Sequence, residues 1–201
     1  MKLYYSPGAC SFSPHVVLHE SGLSFETERV DLKAKKTASG IDYNTINPKS
    51  YVPALVMENG ELLTEGPAIV QYIADLVPGK NLAPASGTLG RYRLQEWLNY
   101  ISSEIHKGFG PLFNPLATEE MKNATKMRLA KRFELAARAL EGKNYLLGDT
   151  FTVADAYLFT MLRWTQSFGI DLSSWPALSA YYERVAARPA VVATLKAEGL
   201  L

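Results

Sequence analysis

Cysteine is nearly missing: Cys10 is the only one in 201 residues. No internal disulfide can form, and three scattered histidines beside one cysteine give no metal-ligand spacing, so no metal is expected. Long apolar runs are missing as well. None approaches the ~20 residues of a membrane span. The N-terminus passes from Met1-Lys2 straight into a strand with two tyrosines, without the apolar stretch and small-residue cleavage site of a signal peptide. The expectation is a cytoplasmic protein with no membrane partner. Charge of one sign is not in excess, since 21 basic and 20 acidic residues leave a formal net charge of +1. Lys33-Ala34-Lys35-Lys36 is too short a cluster to supply the field that nucleic acid demands, so no nucleic-acid partner is expected. Gly-x-Ser-x-Gly, Walker-type Gly-Lys-Ser/Thr and Gly-x-Gly-x-x-Gly are all absent, which removes support for serine hydrolase, P-loop and dinucleotide readings.

What is present is an ordinary globular composition, 47% hydrophobic and 20% charged, long enough for one large domain or two small ones. Leu3-Tyr4-Tyr5 reads as a strand, Pro7-Gly8 as a turn, and Ala9-Cys10-Ser11 opens a helix that Ser13-Pro14 starts and Ser21-Gly22 stops. Thr27 to Leu32 is a second strand, placed by the crossover length to pair in parallel with the first. After a polar loop, Tyr51 to Met57 and Leu62-Leu63 flank Asn59-Gly60, a strong hairpin signal. Gly66-Pro67 opens a helix that buries Ile69, Val70, Ile73, Ala74 and Val77. Pro78-Gly79-Lys80 and Pro84 to Gly90 read as a linker. Helices follow: one carries Leu94, Trp97, Leu98, Ile101 and Ile105, another Leu129, Phe133, Ala136 and Leu140. Phe151 to Phe168 is apolar nearly all round and opens on a capping box, Thr152-x-x-Asp155. Arg188-Pro189 breaks a last pair of helices.

A cysteine just before a helix sits where unpaired N–H groups and the macrodipole favour a thiolate. A lone cysteine is otherwise commonly a small buried hydrophobe, so both readings stand. His15 and His19 lie round the helix from Cys10 and read as structural or solvated. Val52-Pro53 is a candidate cis bond at a strand entry, where a missing N–H interrupts the sheet and leaves backbone for an extended peptide; an ordinary strand-entry proline is the plainer alternative. Glu65-Gly66 at a helix N-terminus suits an amino-acid head group, with N–H groups for its carboxylate and an acid for its ammonium, or merely complements the dipole. Asn99, Ser103 and His106 recur at i, i+4 and i+7 on one face, either solvated or presenting a histidine able to tune a thiol.

With these motifs in place, the chain resembles a cytosolic glutathione transferase, and more narrowly the bacterial beta class. The resemblance rests on Met1 to Tyr5 through Pro7-Gly8-Ala9-Cys10-Ser11, on Asn47-Pro48 to Val52-Pro53-Ala54-Leu55, and on Leu63-Thr64-Glu65-Gly66. It continues through Glu96 to Tyr100, Glu104 to Gly108 and Phe151 to Tyr157. It implies an α/β thioredoxin-like N-terminal domain over 1–80, an all-α C-terminal domain over 87–201 holding the electrophile pocket, and a homodimer. Glutathione would be co-substrate in the cleft, with no other cofactor, and the second partner a small hydrophobic electrophile. Cys10 matches the family's cysteine beside the glutathione sulfur and His106 its helical partner. Ala9, Lys35, Val52, Glu65, Gly66, Asn99, Ser103 and Glu104 match glutathione-contacting positions, Val52 through its backbone, Lys35 at the glycyl carboxylate, and Glu65 and Gly66 at the γ-glutamyl end. Tyr5, Lys107, Phe109, Phe113 and Trp164 are drawn into the electrophile pocket, although Tyr5 also reads as strand core and the aromatics as helical core. Ser11 reads as a helix cap. Many other classes carry Ser where Gly66 stands, so only its backbone N–H is left for that contact. The activity implied is conjugation of the glutathione thiolate to electrophiles. Monothiol disulfide exchange at Cys10 is a second route, and a non-catalytic ligand- or protein-binding role an alternative.

Overall fold

The computed structural model describes residues 1–201, which form two compact units: Met1–Leu82 together with Ala187–Leu201, and Ala83–Ala186. Set beside the expected 1–80 and 87–201, this grouping joins residues 187–201 to the first unit. No helix is long and apolar enough to cross a membrane.

The first unit contains β1 (Lys2–Tyr5), α1 (Phe12–Ser21), β2 (Glu26–Asp31), β3 (Lys36–Thr37), α2 (Tyr43–Ile46), β4 (Ala54–Val56), β5 (Leu62–Thr64) and α3 (Gly66–Leu76). The strands form one sheet in the order β3-β2-β1-β4-β5. β1 and β2 pair in parallel across α1, as the strand-helix-strand spacing predicts, and β4 and β5 form the antiparallel hairpin. Gly60 makes the tight turn with φ +84°, a conformation that a side chain would strain. β3, too short to show any alternation, pairs antiparallel with β2 inside what the sequence reads as a polar loop. Successive residues of a strand face opposite ways. Tyr4 and Ala54 therefore join Val30, Tyr43 and Val52 in a core on one face. Leu3 and Leu55, paired in register and fully buried, face the other way. There α3 packs on β4, β5 and α1.

α9 (Pro189–Ala197) packs on α1 and is tied to the unit at both ends. Arg188 grips Glu20 through Nε at 2.6 Å and a second nitrogen at 3.0 Å. Glu198 accepts the N–H of Gly8 at 2.8 Å and pairs with Nδ1 of His15 at 2.9 Å. His15 is thus structural, buried under Tyr5 and Phe25 with His19 stacked on it. Ser11 precedes α1 but makes no capping bond: its hydroxyl turns back to Ser6, accepting from the N–H at 3.1 Å and donating to the carbonyl at 3.2 Å. The tight Ser6 turn competes for the same oxygen and takes it.

The second unit is helical: α4 (Leu89–Tyr100), α5 (Gly110–Phe113), α6 (Glu119–Leu140), α7 (Val153–Ser167) and α8 (Pro176–Ala186). Thr88 and Thr118 cap α4 and α6 with their hydroxyls. Thr152 and Asp155 form the expected box at α7. The Asp155 carboxylate also accepts the N–H of Leu146 at 2.9 Å and lies 3.3 Å from the Tyr181 hydroxyl. Burial raises its carboxyl to about 6, even though each of these bonds favours the anion. One expectation fails here: Ile101–His106 is a π-helical segment, not a continuation of α4. Its turn is about one residue wider than an α-turn, so i, i+4, i+7 spacing does not keep Asn99, Ser103 and His106 on a single face.

Candidate functional site

In the first unit the chemistry gathers on three consecutive residues. The Cys10 thiol, half-buried, donates to the Val52 carbonyl at 3.2 Å. Lys35 donates its ammonium to the Ser50 carbonyl at 2.7 Å. Between them, the Tyr51 hydroxyl donates to Glu65 Oε1 at 2.8 Å. Ser50, Tyr51 and Val52 therefore bring a cation, a carboxylate and a thiol to one short stretch of chain.

That stretch is held from behind. Asn47, 1% exposed, donates Nδ2 to the Tyr51 carbonyl at 2.8 Å and accepts the Lys49 N–H at 3.1 Å. The buried Tyr43 hydroxyl donates to the same Tyr51 carbonyl at 3.1 Å, and burial pushes its pKa up to about 12, so it remains a donor. The Val52-Pro53 bond is cis. β4 begins only at Ala54, which leaves Val52 outside the sheet ladder, as expected of a proline at a strand entry. Ala9 packs against the core that contains the Val52 side chain. Tyr5 is buried strand core, with burial raising its hydroxyl pKa.

At Cys10 the helix opening is largely used up. The N–H groups of Phe12 and Ser13 turn back to the carbonyls of Ala9 and Cys10, and Pro14 has none to offer. What the helix end still provides is its dipole. Only the protonated thiol can donate to Val52; a thiolate must give up that bond.

Glu65 stands at the N-cap position of α3 with φ +69°, a left-handed conformation uncommon for a side-chain-bearing residue, and Pro67 lies in the first turn. Lys49 pairs with Glu65 Oε1 at 2.6 Å and reaches the Thr64 hydroxyl at 3.0 Å. Gly66 follows as the first helical residue, and a Cβ there would meet nothing closer than Pro53 at 3.9 Å. The glycine is therefore not imposed by crowding.

In the second unit, Nδ1 of His106 shares a 2.6 Å hydrogen bond with the Tyr157 hydroxyl, and its ring lies 5.1 Å from that of Trp164. The bond orients the imidazole, and Nε2 is the nitrogen that the tyrosine does not take. Trp164 also meets Phe109 at 5.4 Å and Phe113 at 5.0 Å. Phe109 is fully buried, walled in by Trp164, Phe133 and Phe168, so it is core and presents no surface to an electrophile. Phe113 is exposed and Trp164 partly so. Ser103 spends its hydroxyl on the Asn99 carbonyl at 3.0 Å, and Glu104 is held by Arg132 at 2.8 Å. Ser103, Glu104 and Lys107 line an open groove of about 270 Å³ with Arg128 and Arg132. Asn99 is exposed and does not line it.

Sequence reasoning missed Tyr43, Asn47, Lys49, Tyr51 and Tyr157. Asn47-Pro48 and Tyr157 stand inside motifs that it quoted, but nothing local in the sequence marks Asn47 as buried.

Comparison with known proteins places these features in a family. The family model of the glutathione S-transferase N-terminal domain matches residues 1–75, and that of the C-terminal domain residues 100–189. Glutathione S-transferase GstA of Escherichia coli O157:H7 is 46% identical over 200 residues, with both chains covered in full. A solved structure described as a ternary complex of BphK, a bacterial GST, shares 60% identity at a TM-score of 0.97, again over the whole of both chains. A bacterial beta class glutathione S-transferase of Sphingomonas chungbukensis shares 48% at a TM-score of 0.96 with the same coverage.

Proposed function

The chain belongs to the glutathione S-transferase family, alongside its bacterial beta-class members, and from that premise we propose that it conjugates the glutathione thiolate to small hydrophobic electrophiles. The observation that carries this reading is the row Ser50-Tyr51-Val52, which gathers Lys35, Glu65 and Cys10. Glutathione is an extended tripeptide with a carboxylate at one end, a thiol in the middle and an α-amino acid at the other. Lys35 suits the carboxylate, the Val52 backbone the cysteinyl portion, and Glu65 with the Gly66 N–H the γ-glutamyl head.

The protein's task is then to bind both reactants and to supply thiolate at neutral pH. Cys10 is the thiol already at the Val52 backbone, and a sulfur there senses the positive end of α1. His106, oriented by Tyr157, is the second residue assigned to activating the sulfur. Trp164 and Phe113 supply apolar surface for the electrophile, with Lys107 beside them in the assignment. The reading includes a homodimer in the cytoplasm and no cofactor beyond glutathione as co-substrate.

A second reaction is favoured by the partial exposure of Cys10 itself. Its thiolate attacks the glutathionyl sulfur of a mixed disulfide, forming a Cys10–glutathione disulfide and expelling the other thiolate. Free glutathione then attacks that bond, releasing oxidised glutathione and restoring Cys10.

The test compares the rate of glutathione conjugation to an activated aryl chloride in the intact protein and in Cys10→Ala, with glutathione binding followed by calorimetry. The expected result is a rate reduced at least tenfold with binding retained. An unchanged rate assigns Cys10 to disulfide exchange alone and activation to His106. No glutathione binding by the intact protein overturns the whole reading.

A further inference from the structure

Glu65 Oε1 carries two donors at once: the ammonium of Lys49 at 2.6 Å and the hydroxyl of Tyr51 at 2.8 Å. The same carboxylate is the one to which the proposed function assigns the α-ammonium of glutathione. We infer that Lys49 is the resident counter-cation of Glu65, displaced when a ligand brings its own ammonium, so that it sets how tightly the site holds a peptide with a free amino terminus. The inference rests on that functional reading.

The two donors differ in how they are held. Tyr51 is anchored through its carbonyl by Tyr43 and Asn47, and its rigid ring, although 43% exposed, has only two torsions with which to turn its hydroxyl away from Glu65. Lys49 is anchored at its backbone N–H by Asn47 Oδ1, but its head group rests only on Thr64 and Glu65, and its side chain is 47% exposed. A flexible four-carbon arm with a compact charge can swing into water at little cost. Its hydrogen bond to Glu65 raises the lysine pKa, so the occupant is a full cation, a close chemical match for the α-ammonium that replaces it. Without Lys49, an unliganded Glu65 would keep the Tyr51 hydroxyl but lose the cation that balances its charge at the N-cap of α3. With it, an entering group must outcompete an ammonium already in place. That requirement favours a ligand whose ammonium is backed by further contacts, here the carboxylate on the Gly66 N–H and the backbone pairing at Val52.

Exposed ion pairs contribute about 0.2–1 kcal/mol, so releasing this one strengthens a competing ligand by only about 1.4- to fivefold. The test uses calorimetry on the full-length protein and Lys49→Met, with two ligands: glutathione, and N-acetylglutathione, which has no ammonium. The expected result is binding of glutathione tightened about 1.4- to fivefold by the substitution, and binding of N-acetylglutathione unchanged or weakened. Glutathione binding that is unchanged or weaker in Lys49→Met overturns the inference, as does an equal gain for both ligands. If the unsubstituted protein binds no glutathione, the functional reading itself falls and takes this inference with it, whereas failure of the variant alone leaves that reading standing.

Discussion

On β2, the Glu28 side chain is almost buried, with the Lys2 ammonium and the Ser39 hydroxyl on its oxygens. These bonds, that from Lys2 first, hold its pKa down to about 2. The folded value is therefore below the ~4.3 of an unfolded glutamate. The stability it contributes is complete above that value and is lost as pH falls toward 2. Urea midpoints measured from pH 5 down to pH 2.5 should drop less steeply for Glu28→Gln than for the unsubstituted protein; parallel curves would show that the pairing contributes nothing. Residues of this kind also mark the limit of reading a site from sequence. Cys10 and Glu65 were legible because each sits beside a helix start, a local signal. Lys49 and Tyr51 were not, because their meaning depends on Glu65, sixteen and fourteen positions away. Asn47 is an ordinary polar residue until the folded loop puts the Tyr51 carbonyl beside it.

Among the elements, hairpin, parallel unit and capping box were all readable, since glycine turns, crossover length and box spacing are written within a few residues of one another. The π-helical segment Ile101–His106 was masked by its neighbours. Its buried residues Ile101 and Ile105, continued by Phe109, recur every four positions. On an α-helix such a row drifts about 40° per step, and on a turn one residue wider it drifts by a similar amount the other way, so buried spacing alone does not tell the two apart. Phe109 kept two readings for a related reason, as helical periodicity reports that a side chain is buried on one face but not whether that face borders core or pocket. At α7 the network on Asp155 consists wholly of donors, from Leu146, Thr152 and Tyr181. Asp155→Asn would turn an NH₂ group toward them. The expected cost is about 2–3 kcal/mol from groups left unsatisfied in a buried site, read from the urea midpoint at constant m-value. A loss under about 0.5 kcal/mol would mean that the network rearranges around the amide.

Across the whole chain, the least legible feature was the membership of residues 187–201 in the first unit. Their apolar pattern continues that of the helices before them, and only long-range contacts decide the matter: Arg188 on Glu20, and Glu198 on His15 and Gly8. Glu198→Ala would deprive a buried imidazole and the Gly8 N–H of their shared acceptor, a cost of about 2 kcal/mol. Glu198→Gln, which keeps an acceptor oxygen, should lose less, and equal losses in the two variants would show that charge rather than hydrogen bonding matters there. The contact between Gly8 and Glu198 spans 190 positions of sequence, and this separation has a meaning in time as well as in space. A ribosome releases Gly8 well before Glu198, with all of 83–186 made in between. The unit begun before the other is therefore finished after it, and the stretch that carries Cys10 waits through the synthesis of the whole second unit for the acceptor that holds it.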